Sequence, residues 1–189
     1  MEAHTIQAEA RSATGKGVAR KLRATGLTPA IAYGNGDAAT ALSLDPKQFR
    51  LLRKSPLGFN QPVTIVVDGG ADIELALLRD LQKHPVSGAI LHADFQTVSS
   101  ATPVQVVVPV TTVGKSAGQE LGGVLQQPLR TMKIVCLPQD IPSHLEVDIT
   151  PLEIGGKIML SEVPMPDGVT AAFRHDATLA QLVRGRVKA

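Results

Sequence analysis

The chain has 189 residues, 43% of them hydrophobic, with 19 lysines and arginines against 17 acids and a formal net charge of +2. That length suits one large domain or two ordinary ones, buries a core without disulfide or metal staples, and the apolar content excludes a disordered chain. No apolar run reaches the roughly 18 residues that span a bilayer, and the first residues, MEAHTIQAEAR, lack the apolar centre of a signal peptide.

Cys136 is the only cysteine. An internal disulfide is therefore excluded, and a reducing, cytoplasmic compartment is expected. Aromatic residues make up 3% of the chain, with one tyrosine and no tryptophan. A broad stacking platform for single strands is excluded, so a nucleic-acid contact must rest on basic and polar groups.

In chain order, AHTIQAEAR sets His4, Ile6, Ala8 and Ala10 against Thr5, Gln7 and Glu9, the alternation of a strand. GKGVARKLRAT follows and reads as a helix closing at Gly26. AIAYGNGDAATALSLD reads as strand, glycine-containing loop and strand. Asp45-Pro46 offers a helix cap followed by proline at the first helical position, and KQFRLLRK continues that helix. PVTIVVDGGADIELALL places Asp-Gly-Gly between two apolar runs, a hairpin signal.

A boundary is expected in QTVSSAT, between Gln96 and Thr102. Residues 1–95 carry 11 basic and 9 acidic side chains, and residues 96–189 carry 8 of each. Beyond the boundary, PVQVVVPVTTVG, MKIVCLP, HLEVDIT, KIMLSEV and GVTAAF read as short strands separated by proline and glycine. DATLAQLVRG, near the end, is the one segment there with a helical pattern. The fold class is mainly β.

Charge is concentrated in one place. Arg11, Lys16, Arg20, Lys21 and Arg23 lie close together, and no acid falls between Glu9 and Asp37. At 100° per residue, Lys16, Arg20 and Arg23 share a stripe about 60° wide, with Val18 and Leu22 opposite. Like charges at helical spacing repel by a few tenths of a kcal/mol per pair. A phosphate backbone relieves that repulsion, and Gly15 and Gly17 allow backbone N–H groups to approach phosphate. A solvated basic helix is the alternative.

Three other sites fail on their residues. TTVGKS resembles a phosphate loop, but the glycine required five residues before Gly114 is Pro109. His84, His92 and Cys136 have no zinc spacing. Glu146 and Asp148 share a strand face that reads as solvated.

GKGVARKLRATGLTPAIAYG, then an LSLD strand with a helix after it, then QKHPVSGAILHADFQ, together resemble the family of ribosomal protein twenty-five of the bacterial large subunit. VLQQPLRTMKIVCLPQDIPSHLEVDITPLEIGGKIML resembles the extension of its long form, the CTC or general stress form. The resemblance implies a small N-terminal β-barrel with short helices, residues 1–95, that binds 5S rRNA. It implies a second β-rich domain, residues 96–189, and a structural constituent of the large subunit with no catalysis, cofactor, metal site or small-molecule substrate. Its partners would be 5S rRNA and neighbouring large-subunit ribosomal proteins.

By position, the family's RNA contacts fall on Arg11, Lys16, Arg20, Arg23, Tyr33, His92 and Asp94, and Lys21 joins them on charge. The loop NGDAAT after Tyr33 is short here, so its contacts are not carried over. Taken alone, Tyr33 reads as a core residue at a strand edge, and His92 and Asp94, two apart, as partners of each other. The anticodon-binding barrel of glutaminyl-transfer-RNA synthetases looks similar to the first half and is the alternative RNA reading.

Overall fold

The computed structural model describes residues 4–34 and 36–184. The chain forms two compact units, Met1–Thr102 and Pro103–Ala189. Asn35, in the loop after Tyr33, lies outside the described residues.

The first unit is a closed six-stranded barrel. Its strands are β1 (His4–Ala10), β2 (Thr28–Gly34), β3 (Asp37–Leu44), β4 (Val63–Asp68), β5 (Ile73–Lys83) and β6 (Ile90–Thr97), in the order β1-β3-β2-β6-β5-β4. β1 pairs in parallel with β4 and β2 with β6, and these two ladders close the ring. Small inward residues (Ala8, Ala30, Ala32, Ala76 and Ala93) leave the narrow interior room for Phe95.

Helix α1 (Lys16–Ala24) joins β1 to β2, and helix α2 (Pro46–Lys54) follows β3. Asp45 caps α2 by accepting from the Lys47 amide at 2.9 Å. Phe49 and Leu52 are buried in the barrel core, and the Phe49 ring stacks 6.2 Å from Phe95. Each such burial contributes about 1.5–3 kcal/mol. Gln48 fixes the helix further by exchanging two hydrogen bonds with the Gln7 backbone, at 3.0 and 3.1 Å.

β6 runs through Thr97, and the Val98 amide donates to the Leu75 carbonyl at 3.1 Å. The barrel therefore continues past residue 95. Gly34 sits at φ +132°, where a Cβ would lie 2.5 Å from the Thr97 carbonyl oxygen. Only glycine lets β2 end this close to β6.

The second unit has two sheets. β10 (Leu145–Asp148), β7 (Val104–Val113), β9 (Thr131–Cys136) and β12 (Thr170–Ala171) form one, in that order. β7 buries Val104, Val106, Val108 and Val110 in strict alternation. β11 (Lys157–Met159), β13 (Thr178–Arg184) and β8 (Gly123–Gln126) form the other.

β13 corrects the helical expectation for DATLAQLVRG. Thr178–Arg184 of that segment is the central strand of its sheet, paired with β11 on one side and β8 on the other. Leu179, Ala180 and Leu182 are buried there. Two ladders and a buried face outweigh the local helical pattern.

A one-turn helix, α3 (Ala117–Glu120), follows TTVGKS. Ser116, the residue a phosphate loop would turn toward a metal, is fully buried and caps α3 by accepting from the Gln119 amide at 3.2 Å. Gly114 lies against Thr150 and the Asp148 carboxylate. Hydrogen bonds from Thr150 hold Asp148 below its ordinary carboxylate range. The segment thus meets a negative charge, the opposite of what a phosphate needs.

Candidate nucleic-acid interface

Gly15, φ +106°, precedes α1 as its N-cap, and the helix has no side-chain cap and no acid in its first turn. Its first intrahelical bond runs from the Ala19 amide to the Gly15 carbonyl. The N–H groups of the opening turn are left with the positive end of the helix dipole. The helix ends in a backbone lock, with the Leu27 amide on the Leu22 carbonyl at 3.2 Å and Gly26 at φ +88°.

Val18, Ala19 and Leu22 are half-buried, while Lys16, Arg20, Lys21 and Arg23 are exposed. Lys16, Arg20 and Lys21 have no ion pair among the described residues. Arg23 is different. Its Nε donates to the Leu91 carbonyl at 2.9 Å and ties α1 to β6. The β5–β6 register slips between Gln82 and Lys83, passing over Leu91. A bulge thus frees the carbonyl that Arg23 takes.

Arg11 stands apart from this stripe. Its Nε donates to the Leu42 carbonyl at 2.8 Å and its Nη2 to the Ala30 carbonyl at 3.2 Å. Half-buried, it braces β3 and β2 with part of its donor fork.

The outer face of β2–β6–β5 supplies the polar floor. Tyr33 lies opposite Gln96, Ile31 opposite Asp94, Gln82 opposite His92 and Asp80 opposite Asp94. His92 Nδ1 and Asp94 Oδ1 are 2.5 Å apart, and both side chains keep more than a quarter of their surface exposed. That contact orients the imidazole and leaves Nε2 without a partner among the described residues. Tyr33 is exposed, at 36%, and not a core residue.

Sequence reasoning missed Asp80, Gln82 and Gln96. A second bulge passes over Arg79 and brings Asp80 opposite Asp94. No local signal in β5 announces either slip, so the facing pairs could not be counted from the hairpin turn.

The remaining candidates do not assemble into sites. No group of three or more His, Cys, Asp or Glu able to hold a metal occurs among the described residues. Glu146 and Asp148 are exposed, and Glu146 pairs with His144 at 2.9 Å. No described helix is long and apolar enough to cross a membrane.

Residues 6–95 match the model of the Ribosomal L25p family, and residues 103–186 match that of the C-terminal domain of ribosomal protein TL5. The large ribosomal subunit protein bL25 of Halothermothrix orenii is 39% identical over 185 residues, covering 97% of this chain and 83% of that one. The chain belongs to the bL25 family. The bL25 of Geobacter metallireducens is 36% identical over 188 residues, 100% of this chain and 96% of its own. That of Syntrophotalea carbinolica is 40% identical over 159 residues, covering 84% and 76%. Both family matches together fit the long, two-unit form of bL25. The family is structural and non-enzymatic.

Proposed function

We propose that this protein is a structural component of the bacterial large ribosomal subunit, in the cytoplasm, and that its first unit binds 5S rRNA. The family supports the ribosomal role. The finer assignment rests on one observation above all. A helix with four exposed cations and no acid sits beside a strand face carrying an oriented His92–Asp94 pair.

The division of labour follows from chemistry. Lys16, Arg20, Lys21 and the outer edge of Arg23 meet phosphates, with help from the uncapped N–H groups of α1. Tyr33, His92 and Asp94 contact a minor groove or its 2′-hydroxyls, which generic attraction does not select. Arg11 holds the strands beneath. Neighbouring large-subunit ribosomal proteins are the chain's further partners.

Titration of the full chain with 5S rRNA and with transfer RNA at one salt concentration tests this. Tight binding to 5S rRNA, lost in the Lys16→Gln/Arg20→Gln variant and at least tenfold weaker for transfer RNA, is expected (about 1.4 kcal/mol of selectivity). Equal affinity for both RNAs would overturn the 5S assignment.

A further inference from the structure

A groove of about 650 Å³ opens in the first unit between the end of α1, helix α2 and the β5–β6 hairpin. Arg23, Arg50, Arg53 and Lys83 line it, and no acid does. Its floor is apolar, with Leu27, Pro46, Leu81 and Ile90. The Lys83 ammonium stands 5.1 Å from the centre of the Phe59 ring, itself part of the wall.

Three of these cations have a partial local explanation: Arg23 is bonded to the Leu91 carbonyl and Lys83 stands over Phe59. Arg53 lies in the last turn of α2, where the helix dipole favours positive charge. None of these contacts accounts for Arg50, which is exposed in mid-helix. Neither Arg50 nor Arg53 has an ion pair among the described residues. Four cations converge on one concavity without an acid in its lining, and the local contacts of Arg23, Lys83 and Arg53 leave Arg50 unexplained.

We propose that this groove is a second RNA site, which takes an unpaired nucleotide segment. Guanidinium groups of Arg50 and Arg53 hold its phosphates, and the apolar lining beside Phe59 takes a single unstacked base, one pocket and not the broad aromatic platform that the composition excludes. A cationic rim around an apolar floor suits a single strand, whose bases are free to leave the stack, better than a regular duplex. Arg23 argues for RNA over an acidic protein segment. Its Nε is fixed to Leu91, so its outer edge lies between the α1 stripe and the groove. Arg23 thus belongs both to α1 and to the groove lining, a junction that a continuous polyanion can follow. The proposal rests on the RNA-binding reading of this unit, and it adds a contact the α1 surface does not contain.

The test uses the full-length protein, a short oligouridylate as the RNA probe and polyglutamate as the competing polyanion, followed by amide NMR. Saturable shifts at Leu27, Gly88 and Ala89 with oligouridylate are expected. Arg50→Gln/Arg53→Gln should weaken them about tenfold or more and flatten the salt dependence by about 1.4 in log–log slope, two phosphate contacts on a single strand. Lys16→Gln/Arg20→Gln should leave the groove shifts in place while 5S rRNA binding falls, which separates this site from the α1 surface. No saturable shift at the groove, or shifts unchanged in the double variant with its fold intact, overturns the proposal. Stronger groove binding by polyglutamate overturns it in favour of an acidic protein segment.

Discussion

Asp80 and Asp94 lie directly opposite each other across the β5–β6 ladder. Like charges in that position destabilise a sheet, and here they sit on a face beside a cationic helix. Asp94 is held by His92 at 2.5 Å, and Asp80 accepts from the Leu81 amide at 2.9 Å. Neither contact removes a carboxylate from the face. Hydrogen-bond donors on an RNA, such as a guanine amino group or a 2′-hydroxyl, give them a use.

Asp94→Asn therefore separates recognition from folding. It relieves repulsion with Asp80, so the thermal midpoint should match or exceed the parent's. Simple electrostatics would predict tighter RNA binding. We expect 5S rRNA binding to weaken by about 1–3 kcal/mol, the scale of a lost hydrogen bond to a charged group. Paired melts and titrations at fixed salt decide it; equal or tighter binding would show that Asp94 serves the strand alone.

Three arginines should behave in three ways. Arg20→Ala should flatten the slope of log K against log salt by about 0.7–0.9 with little change in stability. Arg11→Ala strips donors from the Leu42 and Ala30 carbonyls and should cost about 1–3 kcal/mol of stability, with a smaller change in slope. Arg23→Ala loosens α1 from Leu91 and should affect both. Urea melts and salt-dependent titrations of the three proteins distinguish these patterns, and an unchanged slope for Arg20→Ala would place the stripe in solvent.

Truncation should be sensitive to a few residues at the end of β6. Residues 1–102 contain the whole barrel and should bind 5S rRNA within about tenfold of the intact chain. Ending at residue 95 removes Gln96 and Thr97 from ladders with β2 and β5, and also the Val98–Leu75 bond. The shorter fragment should melt at a clearly lower temperature by circular dichroism. Identical melts would mean the last residues of β6 contribute nothing to closure.

Cys136 gives a pH-dependent check on the second unit. Burial, and secondarily the Asp140 charge, push its thiol up from the ordinary range. The folded state thus favours the neutral thiol. That contribution is complete below the ordinary thiol range and is lost as pH rises through the raised value. Native protein should resist a thiol reagent near neutral pH and react only on unfolding. Rapid labelling of folded protein would contradict the burial.

Much of the barrel is legible in single residues. Asp45-Pro46 starts α2, Gly26 stops α1, and Asp68-Gly69-Gly70 turns β4 into β5, because caps and turns are decided by a few neighbouring atoms. The facing partners of His92 and Asp94 are not legible, since two one-residue slips in the ladder set them. Arg50 and Arg53 look in sequence like the solvent face of a short helix. Only the docking of Phe49 and Leu52 brings α2 to the groove wall beside Lys83. Leu179 and Leu182, three apart, suit one face of a helix, and the flanking ladders of β13 override that spacing.

Barrel closure also sets an order in time. Ala30 on β2 has its parallel partner in Ala93 on β6, so that ladder forms across more than half of the first unit. Contacts so distant in sequence carry a loop-closure cost before they stabilise anything, and they slow folding. During synthesis, α1 and β2 emerge long before β6 can join them. The nascent chain thus exposes its cations early as a loose polyanion attractant, while the face bearing His92 and Asp94 exists only after β6 is released. On the proposed RNA-binding reading, discrimination between RNAs waits until the domain is complete.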